Sequence, residues 1–591
     1  MSAAVASVAM DAAQRQAWEE AQRLWGVSMH DPSIEPGGGT QSFAWFSFPP
    51  RVGVDPTRAA ESRVAGEWQS IFAHELGHHV LSPSTRVNQF KLRQQMARAL
   101  QATSVTTVGR LPELAGYLSN VWSDMLINVR VAELQRRASP TTEPGMITMW
   151  RILGEKPTTD PGWWVVLHAY EHLWGLPDGS LCPVVPPAMP SAQPDATAYT
   201  SLFAADPMVD ASLVAETVRT FGDDHVRGAL RFGMVLAPYL LGSDPPAEQR
   251  HPADCGGDQG GLPATAAELG EVMRDGRLRE VPQHPVFRSA ESNARTTSGG
   301  NATGSQGYGL AATTLLYEGT DPNVVLEAWY AAEARGWIRP YQQPALTSAT
   351  GEEIPGALEL WSLEDDLELI DWPSSLALSP RVIPGVTTRQ RTHMADDVPL
   401  GTESVQLDLY IDSSGSMTNP ASESSAILAG TILILSVLMG GGRVRVTSFS
   451  GPGQVAGNDG FTRNRADAMA MLFTFFGGGT TFPLDLLSAR YLSAPAPADG
   501  ARRHLVVLSD EGLQSLFGVG QPEFASVASD VRKTLDTATL LVMDSGRRIA
   551  AAAAGAGFDV EYLDSMLDAP AACARIAERL AATTLHGGPR G

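Results

Sequence analysis

The sequence predicts a multidomain α/β chain, with a mostly helical N-terminal domain and a doubly wound parallel sheet at the C-terminus. Three observations carry that expectation. From about residue 400 onward, near-continuous apolar runs alternate with helical stretches, the pattern of strands buried on both faces. Before that point apolar residues recur at helical spacing, apart from one short aromatic alternation at 42–48. The chain has 591 residues, enough for several domains that each bury a core.

Taken in order, a helical opening gives way to PGGG and then to the alternating segment 42–48, closed by Pro49 and Pro50, which reads as a single edge strand. A helix is expected over 58–80, with Val64, Trp68, Ile71, Phe72 and Leu76 at helical spacing, followed by helices over 87–103 and 112–137. These elements define a domain at 1–144. A helical extension rich in Trp and Pro follows at 145–241. Residues 242–309 are a Gly/Pro/Ser-rich linker, expected to be partly disordered, with one helical piece near 264–275. Residues 310–399 form a helical and acidic connector. The last domain, 400–591, has strands expected at 404–411, 443–449, 504–509, 539–543 and 558–563, with helices including 522–535 and 569–583. Its apolar run 426–439 is shorter than the ~20 residues a membrane span needs and reads as a buried helix.

Composition narrows the function classes. A net charge of −22 argues against nucleic-acid binding, which needs a basic face. Three cysteines, Cys182, Cys255 and Cys573, are too few and scattered for a disulfide framework, which fits a reducing cytoplasm. The N-terminus MSAAVASVAMDAA lacks the basic flank of a signal peptide, so a cytoplasmic protein without membrane association is expected.

Two metal motifs carry the chemistry. In LYIDSSGSMTNP, Asp412, Ser414 and Ser416 stand at alternate positions just past an apolar strand; Thr480 lies in FFGGGTTFP and Asp510 ends HLVVLSDEG. Hard oxygen ligands of this kind suit Mg²⁺. The five residues resemble the metal-ion-dependent adhesion site of the von Willebrand factor A domain, a Rossmann-like fold. That resemblance implies that Ser414, Ser416 and Thr480 touch the metal, that Asp412 and Asp510 act mostly through water, and that an acidic side chain of a protein partner completes the coordination. Thr481, next door, is the alternative threonine; a Ser/Gly-rich helix cap is the plain alternative for the loop.

The second motif is H-E-x-x-H in AHELGHHV: His74, Glu75 and His78. Positions i and i+4 share a helix face, so two imidazoles can hold one Zn²⁺ while Glu75 acts as general base. Zinc lowers a water's pKa towards ~7, as peptide hydrolysis requires. Asp124, in LSNVWSDMLINVRV, is the candidate third ligand, with Asn128 one turn on along the same face. A salt bridge from Asp124 to Arg130 is the competing reading, and Glu133 is a weaker candidate ligand. His79 is expected to point away. The segment resembles the zincin metallopeptidases, and the helix of a metallopeptidase domain fused to A domains in bacteria, with a compressed Trp-to-Asp spacing. In LHAYEHLW, His168, Glu171 and His172 form the inverted zinc motif H-x-x-E-H. It reads either as an aromatic-packed helix with satisfied histidines or as a second zinc site.

The whole chain resembles bacterial proteins that join a zincin-like domain to an A domain, related to chelatase subunits and to A-domain proteins that work with MoxR-type AAA ATPases. GYGLAATTLLYEG, IDWPSS and VIPGVTT extend the likeness through the connector. The resemblance implies a zinc-dependent peptidase acting on a peptide or protein, coupled to a Mg²⁺-dependent docking module. Its alternative is a non-catalytic adaptor for an AAA ATPase, in a chaperone or metal-insertion role.

Overall fold

The computed structural model describes residues 8–37, 42–102, 110–155, 158–188, 206–240, 263–279, 309–340, 355–362, 370–381, 383–393, 405–493, 501–510 and 513–585. Most of the expected linker at 242–309 lies outside the described residues. The chain forms two compact units. One comprises Met1–Gly336 with Ser416–Thr431 and Phe473–Phe475; the other comprises Trp337–Gly415, Ile432–Leu472 and Phe476–Gly591. No helix among the described residues is long and apolar enough to cross a membrane.

The first unit opens with α1 (Ala12–Trp25), started by a capping box between Asp11 and Gln14 and closed by Gly26 in the left-handed region. Strands β1 (Ser33–Ile34), β2 (Ala44–Ser47) and β3 (Arg51–Val54) form a sheet in the order β1-β3-β2. The aromatic segment is therefore an edge strand, as expected. It is not solitary: β2 pairs antiparallel with β3, in a hairpin whose second strand, RVGV, is too short to signal itself in sequence.

The helix expected over 58–80 is two: α2 (Pro56–Glu61) and α3 (Trp68–Val80). Apolar spacing runs through the break, where Arg63 adopts a positive φ of 61° that no helix accommodates. Then come α4 (Arg86–Ala102), α5 (Leu111–Ala138), α6 (Gly145–Gly154), α7 (Pro161–Trp174), α8 (Pro207–Phe221), α9 (His225–Leu236), α10 (Ala266–Arg274), α11 (Leu310–Leu316) and α12 (Pro322–Ala334). Four of the helix starts share one local code. Asp55, Asp160, Asp206 and Asp321 each precede a proline at the first helical position and accept backbone N–H bonds of the first turn. One core runs through this unit, with Trp18, Phe72, Trp122, Trp150, Trp164 and Tyr170 all essentially inaccessible.

The second unit is α/β. Strands β4 (Pro355–Leu360) and β5 (Arg389–His393) pair antiparallel on their own, with α13 (Trp372–Leu378) between them in sequence. The main sheet has six strands: β6 (Val405–Asp412), β7 (Arg443–Phe449), β8 (Val455–Gly457), β9 (Arg502–Ser509), β10 (Thr537–Val542) and β11 (Asp559–Tyr562). Their order is β11-β10-β9-β6-β7-β8, parallel throughout except at β8, so the sheet is mixed rather than purely parallel. VAG is too short and small to register as a strand in sequence; its pairing with β7 creates it.

The expected helix at 522–535 contracts to a turn at Pro522–Phe524 and α17 (Val527–Arg532). Helices α14 (Ser425–Met439), α15 (Arg465–Leu472), α16 (Leu484–Tyr491), α18 (Ala550–Ala556) and α19 (Ala569–Leu585) complete the set. Every residue of β6 is buried, so the strand is covered on both faces. One face packs Tyr410, Phe449, Val507 and Leu540 against α16, α17 and α18. The chain steps from β6 to β7 on one side and returns to β9 on the other. The carboxyl ends of β6 and β9 therefore flank the point where strand order reverses, the usual ligand crevice of such sheets.

Candidate metal centres

In the first unit, α3 and α5 build a closed polar pocket. His74 and His78 sit one turn apart on α3 and Asp124 lies on α5; their exposures are 5%, 3% and 9%. His74 Nε2 is 3.5 Å and His78 Nε2 3.4 Å from the same oxygen, Asp124 Oδ1. The three donor atoms lie within 4.8 Å of one another. Donors at ~2.0–2.2 Å from one ion in a tetrahedron stand about 3.3–3.6 Å apart, so this spacing matches three ligands around a common centre. It is long for a direct hydrogen bond. His78 Nε2 and Asp124 Oδ1 are buried without a hydrogen-bond partner, which is costly for polar atoms unless a cation meets both. The residues fit a zinc-type ion.

The outer nitrogens fix the rings. His74 Nδ1 is 2.6 Å from Asn128 Oδ1, and the Asn128 amide in turn donates to the Tyr170 hydroxyl at 2.8 Å. That orients the amide so that its oxygen faces His74, placing the ring proton on Nδ1 and the lone pair on Nε2. His78 Nδ1 is 3.0 Å from the Ser82 carbonyl oxygen, with the same consequence, and the Ser82 hydroxyl meets that of Ser123 at 3.0 Å. Burial alone lowers the His74 pKa, but the Asp124 carboxylate outweighs it, with Glu75 and Asn128 adding, and raises it to about 9. Burial raises the Asp124 carboxyl, and the two imidazoles more than reverse this, holding it below its usual value.

Close approach of the two helices depends on Gly77. A Cβ there would stand 2.4 Å from Ile127 Cγ2 on α5. Glu75, 1% exposed, borders a small cavity of about 10 Å³, room for roughly one water, with Phe43, Ala44, Ile71, His74 and Trp150 around it. Phe46 of β2 stacks on His78 at 5.9 Å, so the edge strand lies over the pocket, and on His79 at 6.4 Å. Two alternatives are corrected. Arg130 pairs with Glu133 at 2.8 Å rather than with Asp124, and Glu133, partly exposed and also paired with Arg137, does not join the donor group of His74, His78 and Asp124. Sequence reasoning did not find Tyr170, Ser82 or Gly77 as parts of this site; Asn128 was marked by its spacing from Asp124.

In the second unit, Asp412 ends β6 and Asp510 follows β9, on the two sides of the crevice. Asp412 Oδ1 accepts the Ser414 N–H at 2.8 Å, while Oδ2 accepts from the Ser509 hydroxyl at 2.6 Å and lies 3.4 Å from Thr480 Oγ1. Thr480 is thus the threonine beside Asp412; Thr481 donates its N–H to the Ser450 carbonyl. The loops are laced together by Gly415 N–H to Gly478 O at 2.8 Å and Gly477 N–H to Ser413 O at 2.9 Å. A Cβ at Gly415 would stand 3.0 Å from Gly477 O. Ser416, two residues past Ser414, is exposed, and Asp412 is linked directly to Ser414 and Thr480 and electrostatically to Asp510. Burial raises the Asp412 pKa and the Asp510 charge adds to it, against hydrogen bonds from Ser509 and Ser414. Two carboxylates and hydroxyls at strand ends are a donor set for a hard cation. Ser509 was missed, although it precedes Asp510 in the same strand end.

The chain matches no family model and no curated protein, so the chemistry of both centres rests on its own residues.

In the inverted motif on α7, His168 and Glu171 are fully buried and His172 is partly exposed. His168 stacks on Trp164 at 4.6 Å and its Nδ1 lies 2.7 Å from Glu171 Oε2. The aromatic packing is as expected, but His168 Nε2 is buried without a partner, so this histidine is not fully satisfied.

Proposed function

We propose that this protein is a zinc-dependent metallopeptidase of zincin type, joined to a von Willebrand factor A-type module that binds a protein partner through Mg²⁺. The observation that carries the reading is that His74 Nε2, His78 Nε2 and Asp124 Oδ1 stand at the mutual spacing of three ligands around one ion, with Glu75 beside a water-sized cavity. His74, His78 and Asp124 would hold the zinc, leaving a fourth position. When bound, the ion supplies Lewis-acid polarisation and a water acidic enough to lose its proton near neutral pH. Glu75 takes that proton at its carboxylate and returns it to the leaving amine. Asn128 and the Ser82 carbonyl sit at the two Nδ1 atoms, so that Nε2 of each ring is the nitrogen turned towards Asp124 and the ion. Among the described residues β2 is an edge strand, against which an extended peptide could align.

In the second unit, Asp412, Ser414 and Thr480, with Ser416 and Asp510, would hold Mg²⁺, and a partner's carboxylate would complete its shell. A MoxR-type AAA ATPase is the proposed partner and the cytoplasm the proposed compartment. Glu75→Gln tests the peptidase: zinc should stay bound while hydrolysis of an unstructured protein such as casein falls at least ~10²-fold. Activity surviving that change removes the reading. Asp412→Ala should abolish Mg²⁺-dependent association and leave zinc content unchanged.

A specific observation favours a second reading. Glu75, His74 and His78 are all 5% exposed or less, and the cavity beside them admits little more than water. In that reading the N-terminal centre is silent, or latent until a partner opens it, and the chain is an adaptor. It predicts no difference in any function between wild type and Glu75→Gln.

A further inference from the structure

Among the donors of the second unit, Thr480 is the one whose own side chain does least to hold it in place. Its hydroxyl lies 3.4 Å from Asp412 Oδ2, long for a hydroxyl–carboxylate hydrogen bond. It also follows three glycines, the residues with the most backbone freedom to lose. The position of that hydroxyl is therefore set by whatever fixes the backbone on either side of it.

Ser450, the residue after β7, does so from a fully buried position. Its hydroxyl donates to the Gly479 carbonyl at 2.8 Å and accepts the Gly478 N–H at 3.1 Å, just before Thr480. Its carbonyl accepts the Thr481 N–H at 2.8 Å, just after. Ser450 is held in turn, because its N–H donates to the Gln454 carbonyl at 2.9 Å. There is little slack: a Cβ at Gly478 would stand 2.2 Å from Gln454 Oε1 and 3.0 Å from Ser450 Oγ. Further along, Phe482 is fully buried; its N–H donates to Ser515 Oγ at 2.9 Å and its carbonyl accepts from Gln521 Nε2 at 3.1 Å. The centre faces outward, but its threonine is not loose.

Fixing one donor matters because hard cations differ in size. Mg²⁺ takes oxygens at ~2.0–2.1 Å in a strict octahedron, whereas Ca²⁺ takes more of them at ~2.3–2.6 Å in flexible geometry. Admitting the larger ion requires donors to move back by roughly 0.3–0.5 Å, which the bonds on both sides of Thr480 resist.

We propose that Ser450 is a positioning residue that acts through Thr480 and sets the second centre's preference for Mg²⁺ over Ca²⁺. The assignment rests on the reading of that centre as a Mg²⁺ site and adds what makes it selective. Without the hydroxyl, the Gly478 N–H and the Gly479 carbonyl lose a buried partner and the glycine run before Thr480 is freed. The relaxed loop then serves the larger ion nearly as well as the smaller.

The full-length chain, stripped of Mg²⁺ and Ca²⁺, is titrated calorimetrically with each ion in separate runs. Ser450→Ala should weaken Mg²⁺ binding about tenfold and Ca²⁺ binding less than about threefold, so the ratio of affinities falls. In a Thr480→Ala chain the same substitution should leave the ratio where it was, since its route to the ion is gone. Gln454→Ala, at a half-buried position against Gly478, should lower the ratio by a smaller factor. An unchanged ratio in Ser450→Ala, with circular dichroism showing it folded, would overturn the assignment, as would an equal loss for both ions. So would a shift that persists without Thr480. Should Ser450→Ala not fold, an unchanged ratio in Gln454→Ala decides against it. In all those outcomes Mg²⁺ binding that depends on Asp412 remains. A wild-type chain that binds no Mg²⁺, or binding that survives Asp412→Ala, instead refutes the magnesium reading itself, and this assignment with it.

Discussion

The two main centres solve opposite problems. In the first unit, donors one helical turn apart on α3 meet an acid from α5 in a buried pocket, and each imidazole is locked by a partner on its far nitrogen. In the second, donors come from strand ends and two glycine-laced loops, and Thr480 and Ser416 remain partly or fully accessible. The first arrangement brings three donors together from two helices of one unit. The second lacks a full coordination shell, as suits a cation that recruits an outside ligand. Burial thus distinguishes a donor set closed off within the protein from one that faces outward.

The largest effect should come from removing an imidazole. His78→Ala should take zinc in the first centre from about one equivalent to none by elemental analysis, with Mg²⁺-dependent association unchanged. A variant losing both would break the contrast. Next is the metal-free chain's response to pH. The His74 pKa is raised from 6.5 to about 9 in the folded protein, so its stabilisation is fully present below about 6.5 and disappears as pH rises through 9. The loss is on the order of 3 kcal/mol. Asp124, shifted the other way, stabilises above the ordinary carboxylate range and ceases to do so as pH falls. Thermal melts of the stripped chain should therefore be highest between those limits, and zinc should abolish the decline towards pH 9.

Asn128→Ala should weaken zinc binding by about 10–100-fold, because it frees the His74 tautomer without removing a ligand. A competition titration against a chromophoric chelator would check it. Smallest is Ser509→Ala: losing the hydroxyl that holds Asp412 Oδ2 should cost about tenfold in Mg²⁺ affinity by calorimetry. An effect there larger than at Asn128 would reverse the contrast between a rigid and an open site.

The sequence disclosed those parts of this molecule whose geometry is local. The i, i+4 spacing of His74 and His78 and the strand-end position of Asp412 are written within a few neighbouring residues. Asp124 was reachable because an acid on an apolar helix needs a reason to be there. Tyr170 was not, since it joins the site from 42 positions away from Asn128 through the fold alone. Gly77 looks like filler between two histidines until Ile127 is brought against it. Strands β3 and β8 escaped notice because four and three residues carry too little pattern. The false continuity of 58–80 arose because apolar spacing is blind to a single residue with positive φ.

The borders of the six-stranded sheet have a consequence of their own. On one side it stops at β8, three residues long and running against its neighbour; on the other at β11, four residues carrying Asp559 and Glu561. Stunted or acidic margins resist lateral growth by another chain's backbone. Polymerisation through this sheet is thereby discouraged.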